Sequence, residues 1–162
     1  MLIRKALEKD LPDLLEIYNE AILNTTATFD LVEQTLEERK KWFEKYGGEY
    51  PLLVADFDGE AAGYCSLSSF RDKEAYKKTM EISIYVSSKH RGKGIAKKLM
   101  EAILSQAKKM GCHVIMAGIT AGNDTSVELH EKFGFQYAGC FKEVGFKFGK
   151  WQDVLFYQLI LH

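Results

Sequence analysis

The sequence of 162 residues lacks the long apolar runs that membrane-spanning proteins carry. No stretch approaches the roughly 18 consecutive apolar residues that a transmembrane helix needs. The first ten residues, MLIRKALEKD, also lack the apolar core of a secretory signal. We therefore expect a cytoplasmic protein without a membrane partner.

Cysteine is scarce, and neither sign of charge is in excess. Cys65, Cys112 and Cys140 form an odd, widely spaced set without a Cys-x-x-Cys pair, which favours neither a disulfide framework nor a zinc site. The 22 basic residues nearly balance the 23 acidic ones, and such a charge does not suit nonspecific binding to nucleic acid. We expect a small-molecule ligand, no metal and no nucleic-acid partner.

Proline is also rare, with two residues, and the chain contains no repeat, low-complexity tract or linker. Its length suffices for one sizeable hydrophobic core and is short for two ordinary domains. We predict a single domain over residues 1–162.

Hydrophobic periodicity predicts strands and helices along the whole chain. Strands are expected at 2–6, 80–86 and 113–119, and hairpins join 51–57 to 61–70 and 135–148 to 151–161, with turns at Asp58-Gly59 and Gly149-Lys150. Helices are expected after caps at Asp10, Thr35 and Asn123, and a further long helix ends at Gly111. Because strands and helices alternate only in the middle of the chain, we predict an α/β (α+β-like) fold with a mixed sheet.

A glycine-rich turn, Arg91-Gly92-Lys93-Gly94-Ile95-Ala96, lies between a predicted strand and the long helix. Glycines let the backbone approach a ligand closely, and free amides at a helix N-terminus bind anions. Lys97 adds positive charge, so the turn predicts a phosphorylated ligand. The alternative is a tight strand-to-helix connection with solvated lysines.

The turn matches neither of two common phosphate-binding motifs. The phosphate loop requires G-x-x-x-x-G-K-[ST], which is absent. The dinucleotide fingerprint requires a third glycine where Lys97 stands.

The pattern R-x-x-G-x-A at 91–96 resembles the pyrophosphate-binding motif of the GNAT acetyltransferase superfamily, [QR]-x-x-G-x-[GA]. Residues 123–135 resemble that superfamily's later motif, N-x-x-[AS]-x-x-[LF]-Y-x-x-x-G-F. The stretches IYNEAI, AYKKTMEISIYV, LHEKFGF and KFGKWQDV resemble the phosphinothricin, methionine sulfone and methionine sulfoximine acetyltransferase group. The resemblance implies a central mixed, mostly antiparallel sheet of about seven strands flanked by four helices.

The resemblance also implies the catalytic residues. Glu81 matches the family's catalytic glutamate, and a base is useful because an alkylamine is mostly protonated near pH 7; a surface carboxylate is the alternative. His130 stands where many members carry the tyrosine that protonates the coenzyme A thiolate. An imidazolium could do the same work, and a partly buried structural histidine is the alternative.

Acetyl-CoA is the implied co-substrate. Irregular pairing at the end of the strand would free backbone amides for the thioester and pantetheine, and Asn123, also a helix cap, and Lys132 could approach the coenzyme. The expected coenzyme-binding residues are Ile84, Tyr85, Val86, Arg91, Gly92, Lys93, Gly94, Ile95, Ala96, Lys97, Asn123 and Lys132.

The acceptor is expected beside Glu81. A cation-rich segment would suit the carboxylate of an amino acid analogue, although two or three of its residues are alternatively solvated loop residues. Phe29 either lines the pocket or packs in the core. The expected acceptor-binding residues are Phe29, Arg71, Tyr76, Lys77 and Lys78.

The preferred function is direct transfer of acetyl from acetyl-CoA to phosphinothricin, methionine sulfoximine or methionine sulfone in a ternary complex. Acetylation of a protein N-terminus or another amine, a non-catalytic coenzyme A-binding module and a nucleotide-binding protein are alternatives. The aromatic C-terminal hairpin either completes a homodimer interface, as in similar enzymes, or belongs to the core.

Overall fold

The computed structural model describes residues 1–162 and contains seven strands and four α-helices. The strands are β1 (Leu2–Lys5), β2 (Leu52–Phe57), β3 (Glu60–Ser69), β4 (Thr79–Val86), β5 (Val114–Thr120), β6 (Gln136–Lys147) and β7 (Lys150–Ile160). The helices are α1 (Leu11–Asn24), α2 (Leu36–Phe43), α3 (Ile95–Lys109) and α4 (Asp124–Lys132). Short 3₁₀ turns cover Glu8–Asp10, Glu74–Tyr76 and Ser88–His90.

All seven strands belong to one sheet, in the order β1-β2-β3-β4-β5-β7-β6. Every neighbouring pair is antiparallel except β4 and β5, which are parallel. The predicted mixed, mostly antiparallel sheet with four helices is therefore confirmed. The sheet opens between the two strands of this single parallel pair, β4 and β5.

The sheet buries both faces, and β2 shows how the sequence achieves this. Leu52 and Val54 pack with α1, whereas Leu53 and Ala55 pack with α3, because successive strand residues point to opposite faces. The larger core lies on the α3 face and the smaller one on the α1 face.

Side-chain caps fix the start of two of the four α-helices. Thr35 and Glu38 form the predicted capping box, each side chain bonding the other's backbone N–H, at 3.2 and 3.1 Å. Asn123 caps α4 by accepting from the Ser126 N–H at 3.2 Å. Asp10 precedes α1 but its side chain makes no capping bond to that helix. Its carboxylate is instead occupied by the Arg4 guanidinium and the Leu7 N–H.

Of the two predicted hairpin turns, the first is confirmed and the second is displaced by one residue. Asp58 and Gly59 both have positive φ, as a two-residue hairpin turn requires. At the C-terminal hairpin the turn residues are Phe148 and Gly149, with φ of 56° and 71°, and Lys150 already begins β7. Gly149 is therefore the second residue of the turn, whereas the sequence predicted it as the first.

Neither the length nor the apolar content of any helix in the structure suffices for a membrane span.

Candidate active site

Strands β4 and β5 pair over only three residues each and then separate. Thr79–Glu81 pairs with Val114–Met116, after which β4 continues to Val86 and β5 to Thr120 without further pairing. Each strand keeps its ladder with its other neighbour along this length, so the gap is fixed from both sides. A cleft of about 960 Å³ opens between the separated strands.

The unpaired half of β4 lines this cleft, including the predicted residues Ile84, Tyr85 and Val86. Their pairing with β3 is regular as far as Gly63 and Val86, so the expected irregularity is not a bulge in that ladder. The irregularity is instead that β4 loses its β5 partner after Glu81. Because strand amides alternate in direction, part of the β4 backbone is left free toward the cleft.

The glycine-rich turn closes the wide end of the cleft. Gly92 and Gly94 have φ of 76° and 75°, which side-chain-bearing residues rarely adopt. The first helical hydrogen bond of α3 runs from the Lys98 N–H to the Gly94 carbonyl, and the N–H groups of the preceding α3 residues have no intrahelical acceptor. The first turn of α3 contains no acidic residue.

Most of the predicted turn residues contact the cleft, but Lys93 does not. Its Nζ lies 3.0 Å from His90 Nδ1 and 5.1 Å from the centre of the Phe57 ring, outside the cleft. Ile95 can contribute only its backbone, because its side chain is buried in the core. The cleft residues from this region are His90, Arg91, Gly92, Gly94, Ile95, Ala96 and Lys97.

Glu81 lies at the last position of β4 that pairs with β5, directly before Ile82, the first β4 residue that lines the cleft, and does not itself line it. Its carboxylate makes no hydrogen bond or ion pair within the chain, and burial raises its pKa. Glu81 shares a strand face with Tyr85, whose ring packs at 5.5 Å from Tyr18 of α1. The carboxylate therefore belongs to the α1 face of the sheet.

His130 lines the cleft from α4 and is 5% exposed. Its Nδ1 lies 2.7 Å from the Ser126 carbonyl oxygen, and since a carbonyl only accepts, Nδ1 carries the proton. Burial lowers the pKa of the imidazole, partly opposed by this hydrogen bond. Burial thus favours the neutral ring, in which Nδ1 carries the proton and Nε2 keeps a free lone pair.

Asn123 and Lys132 also line the cleft on the α4 side. The Asn123 Oδ1 atom is used by the cap, so only its NH₂ group is available to a ligand. Lys132 is exposed at the last turn of the helix.

The predicted acceptor residues do not form one group. Arg71 lies over the rings of Phe70 and Tyr76, at 4.9 and 5.9 Å, in the exposed loop before β4. This loop follows Ser69 and precedes β4, at the end of the strand where Glu81 stands.

Lys77 and Lys78 were expected beside the acceptor but line a separate cleft of about 510 Å³ with Lys5 and Cys112. The two lysines lie in a different place from Arg71 because the chain turns through Glu74–Tyr76 before it enters β4. Phe29 is 37% exposed and packs against Gly145 of β6, so it contacts the hairpin rather than the coenzyme cleft.

Three groups that the sequence did not reveal also line the cleft: Glu20 of α1, the segment 25–27 and Phe148. The Glu20 carboxylate accepts from both the N–H and the hydroxyl of Ser88, at 3.0 and 2.6 Å, and so ties α1 to the chain before the glycine-rich turn. Two of them carried a signal, since Glu20 lies in the stretch IYNEAI and Phe148 in KFGKWQDV.

Comparison with known proteins agrees with this geometry. A family model for the acetyltransferase (GNAT) domain matches residues 3–156. An L-methionine sulfoximine/L-methionine sulfone acetyltransferase of Pseudomonas aeruginosa is 42% identical over 161 residues, covering 98% of this chain and 94% of that protein.

Two solved structures extend the comparison. A ribosomal-protein-alanine N-acetyltransferase from Brucella melitensis superposes with a TM-score of 0.97 at 44% identity, covering 99% of this chain and all of the other. A phosphinothricin acetyltransferase from Sinorhizobium meliloti in complex with acetyl-CoA superposes with a TM-score of 0.94 at 36% identity, covering 99% and 88%.

Proposed function

The chain belongs to the GNAT acetyltransferase family, and we propose that it transfers acetyl from acetyl-CoA to the amino group of a small amino acid analogue. Methionine sulfone, methionine sulfoximine and phosphinothricin are the proposed acceptors, because similar proteins of nearly equal length are named for acting on them. The observation that carries the proposal is the cleft itself. It joins the free N–H groups at the start of α3 to the part of β4 that has no β5 partner, which leads back to the half-buried Glu81.

The residues of the wide end suit the diphosphate of coenzyme A. The free N–H groups at the start of α3 and the Arg91 guanidinium offer donors and positive charge, and the first turn of α3 contains no acidic residue. The unpaired backbone of β4 suits the amide groups of the pantetheine arm, and the Asn123 NH₂ group adds a donor from the opposite wall. Acetyl-CoA supplies the thioester carbonyl that the amine attacks.

Glu81 is the proposed base. The amine must lose a proton to attack the thioester carbon, and a carboxylate whose pKa is raised by burial accepts that proton more readily than an exposed one. The C–N bond then forms, the C–S bond breaks, and the departing thiolate takes up a proton. No covalent enzyme intermediate is needed.

His130 is proposed as a proton carrier for that thiolate. Its Nε2 lone pair must first accept a proton, since the resting ring is neutral. Once charged, a buried imidazolium is a stronger acid than an exposed one, because burial disfavours the charged form.

Substitution of Glu81 tests the base. We expect Glu81→Gln to lower kcat by a factor of about 10² to 10⁴ while the Kd for acetyl-CoA, measured by titration calorimetry, stays within twofold. Glu37→Gln, at an exposed position of α2, is the matched control and should change neither quantity. Equal turnover by Glu81→Gln would remove this residue from the mechanism.

The acceptor is tested with a panel assayed against acetyl-CoA. We expect methionine sulfone, methionine sulfoximine or phosphinothricin to give the highest kcat/KM, above simple alkylamines. A preference for a peptide with an N-terminal alanine would instead favour protein acetylation, the function for which the Brucella relative is named. Tight acetyl-CoA binding without turnover on any amine would favour a non-catalytic binding module.

We also propose a homodimer formed through the C-terminal hairpin. Strand β6 lies at the sheet edge, and six large apolar side chains of the hairpin are at least half exposed. Phe148 lines the cleft, and the other five are Tyr137, Phe141, Val144, Phe146 and Trp151. At about 150–250 Å² for each large aromatic, they offer on the order of half of the roughly 800 Å² per partner that a standard interface buries.

Sedimentation velocity tests this assembly. The wild type should sediment as a dimer, Trp151→Glu as a monomer, and the adjacent control Lys150→Glu as a dimer. A wild type that is monomeric at all concentrations would end the dimer proposal.

The cytoplasmic location stays a prediction. All three cysteines are free thiols, two of them buried, which fits a reducing compartment.

A further inference from the structure

The segment between α1 and α2, residues 25–34, crosses the α1 face of the sheet without regular structure, and we call it the strap. Its first three residues line the cleft. Glu81 lies on the same face of the sheet, so the strap borders the side from which an acceptor approaches that carboxylate. Whatever fixes the strap therefore shapes the acceptor side of the site.

Three successive strap carbonyls are held by side chains from three different strands. The Thr120 hydroxyl of β5 donates to the Thr26 carbonyl at 2.7 Å, and the Tyr85 hydroxyl of β4 donates to the Ala27 carbonyl at 3.3 Å. The Thr28 carbonyl accepts from the ammonium group of Lys147, on β6, at 2.8 Å.

Lys147 is the unusual member of this set because it is a buried cation. It is 4% exposed, and burial lowers the pKa of its ammonium group. An ammonium has three donors, and Thr28 is the one acceptor within hydrogen-bond distance. A buried charge is costly, so a residue kept only for packing would be better replaced by an apolar one.

The other side of the strap is fixed to α1. The Tyr18 hydroxyl bonds the Thr28 hydroxyl at 2.9 Å and also donates to the Asp30 carboxylate. Asp30 raises the pKa of Lys147 through its charge, opposing the effect of burial. Between these anchors the Phe29 ring covers Gly145, where any Cβ would lie 2.4 Å from the ring. The strap and the hairpin thus interlock around Lys147.

We propose that Lys147 is a positioning residue that fixes the strap and thereby sets the affinity for the acceptor, without contributing to acetyl-CoA binding. The inference rests on the proposed acetyltransferase function. It predicts that loss of the ammonium group weakens acceptor binding selectively, because the glycine-rich turn and the unpaired part of β4 lie on other elements.

Steady-state kinetics with methionine sulfone separate the two substrates. We expect Lys147→Met to raise the acceptor KM by about tenfold, with the Kd for acetyl-CoA within twofold of the wild type. Lys147→Arg, which keeps the charge, should recover part of the loss. The control is Lys150→Met, an exposed lysine three residues further along the hairpin, which should match the wild type.

Hydrogen exchange gives a second measurement that needs no turnover. Amides of residues 25–34 should exchange faster in Lys147→Met than in the wild type and in Lys150→Met. Unchanged strap exchange would overturn the proposal, and so would equal losses of acceptor and acetyl-CoA affinity, which indicate a general structural role. If the wild type acetylates no amine at all, the proposed function fails, while the exchange experiment still decides the role of Lys147.

Discussion

Gly63 of β3 provides a sharp test of how the sheet positions the coenzyme site. A Cβ at this position would lie 3.0 Å from the Ile95 Cγ2 atom, 3.0 Å from the Tyr85 carbonyl oxygen and 3.4 Å from the Leu99 Cδ1 atom. Both side chains are fully buried and the third atom is backbone, so none can move aside freely. Ile95 is also the first residue of α3, whose amides face the cleft.

The cost of Gly63→Ala follows from these contacts. Overpacking lowers the free energy of unfolding by about 1–3 kcal/mol. The reduced entropy of the unfolded chain raises it by about 0.4–1 kcal/mol. We therefore expect a net loss of about 1–2 kcal/mol, which lowers Tm by about 2–8 °C in a protein of this size. If α3 yields by a few tenths of an ångström, the Kd for acetyl-CoA should rise by about fivefold, equivalent to about 1 kcal/mol.

Thermal unfolding followed by circular dichroism measures the stability, and titration calorimetry measures the coenzyme affinity. Gly118→Ala is the stability control, because its nearest atoms would lie at 3.5 and 3.6 Å, which is ordinary contact. The reasoning is refuted if Gly63→Ala leaves both Tm and Kd at wild-type values, or if Gly118→Ala lowers Tm as much.

Three further substitutions probe the same architecture. Gly94→Ala forces a side chain into the left-handed region, φ 75°, and should cost about 1–2 kcal/mol and weaken acetyl-CoA binding in calorimetry. Asp10→Ala leaves the Arg4 guanidinium with Asp56 as its one carboxylate partner and should cost about 3 kcal/mol in urea unfolding. Burial raises the pKa of Asp10, but hydrogen bonds from Arg4 and the Leu7 N–H outweigh it and hold that pKa below its ordinary value. Wild-type stability should therefore fall as pH drops below roughly 4, more steeply than that of the variant. Burial raises the pKa of Glu81, so the wild type loses stability as pH rises past the ordinary titration of a glutamate, near pH 4.3. Glu81→Gln should therefore have a higher Tm than the wild type at pH 7. This difference in Tm should vanish below pH 4.

Sequence patterns predicted the elements and the backbone of the glycine-rich turn because those features depend on local chemistry. The capping residues Thr35 and Asn123 form hydrogen bonds within three residues, so their spacing alone carries the information. The same holds for the glycines at 92 and 94, whose backbone angles are set within the turn.

The surroundings of the expected acceptor residues depend on contacts between distant segments, which sequence patterns do not encode. Lys77 and Lys78 were chosen as cations near Glu81 along the chain, but the 3₁₀ turn before β4 directs them to another cleft. The protonation state of His130 likewise follows from burial and from the Ser126 carbonyl, neither of which a motif encodes. The Lys147 anchor joins residues 119 positions apart.

The hairpin segment Phe146-Lys147-Phe148 explains why Lys147 escapes pattern analysis. Alternation in a half-buried strand normally places aromatic residues inward and lysine outward, whereas at the end of β6 Phe146 is half exposed and Lys147 is buried. Phe148 follows in the turn and lines the cleft. This inverted pattern exposes apolar surface on one face and buries a charge on the other. Both are unfavourable unless a partner covers the aromatics and an acceptor binds the lysine. The strap supplies an acceptor for the inward lysine, and the proposed partner copy would cover the outward aromatics around Trp151. If both proposals hold, one short hairpin joins assembly to acceptor recognition, so Trp151→Glu should also raise the acceptor KM in the assay designed for Lys147→Met. An acceptor KM that does not change on dissociation would separate the two roles of the hairpin.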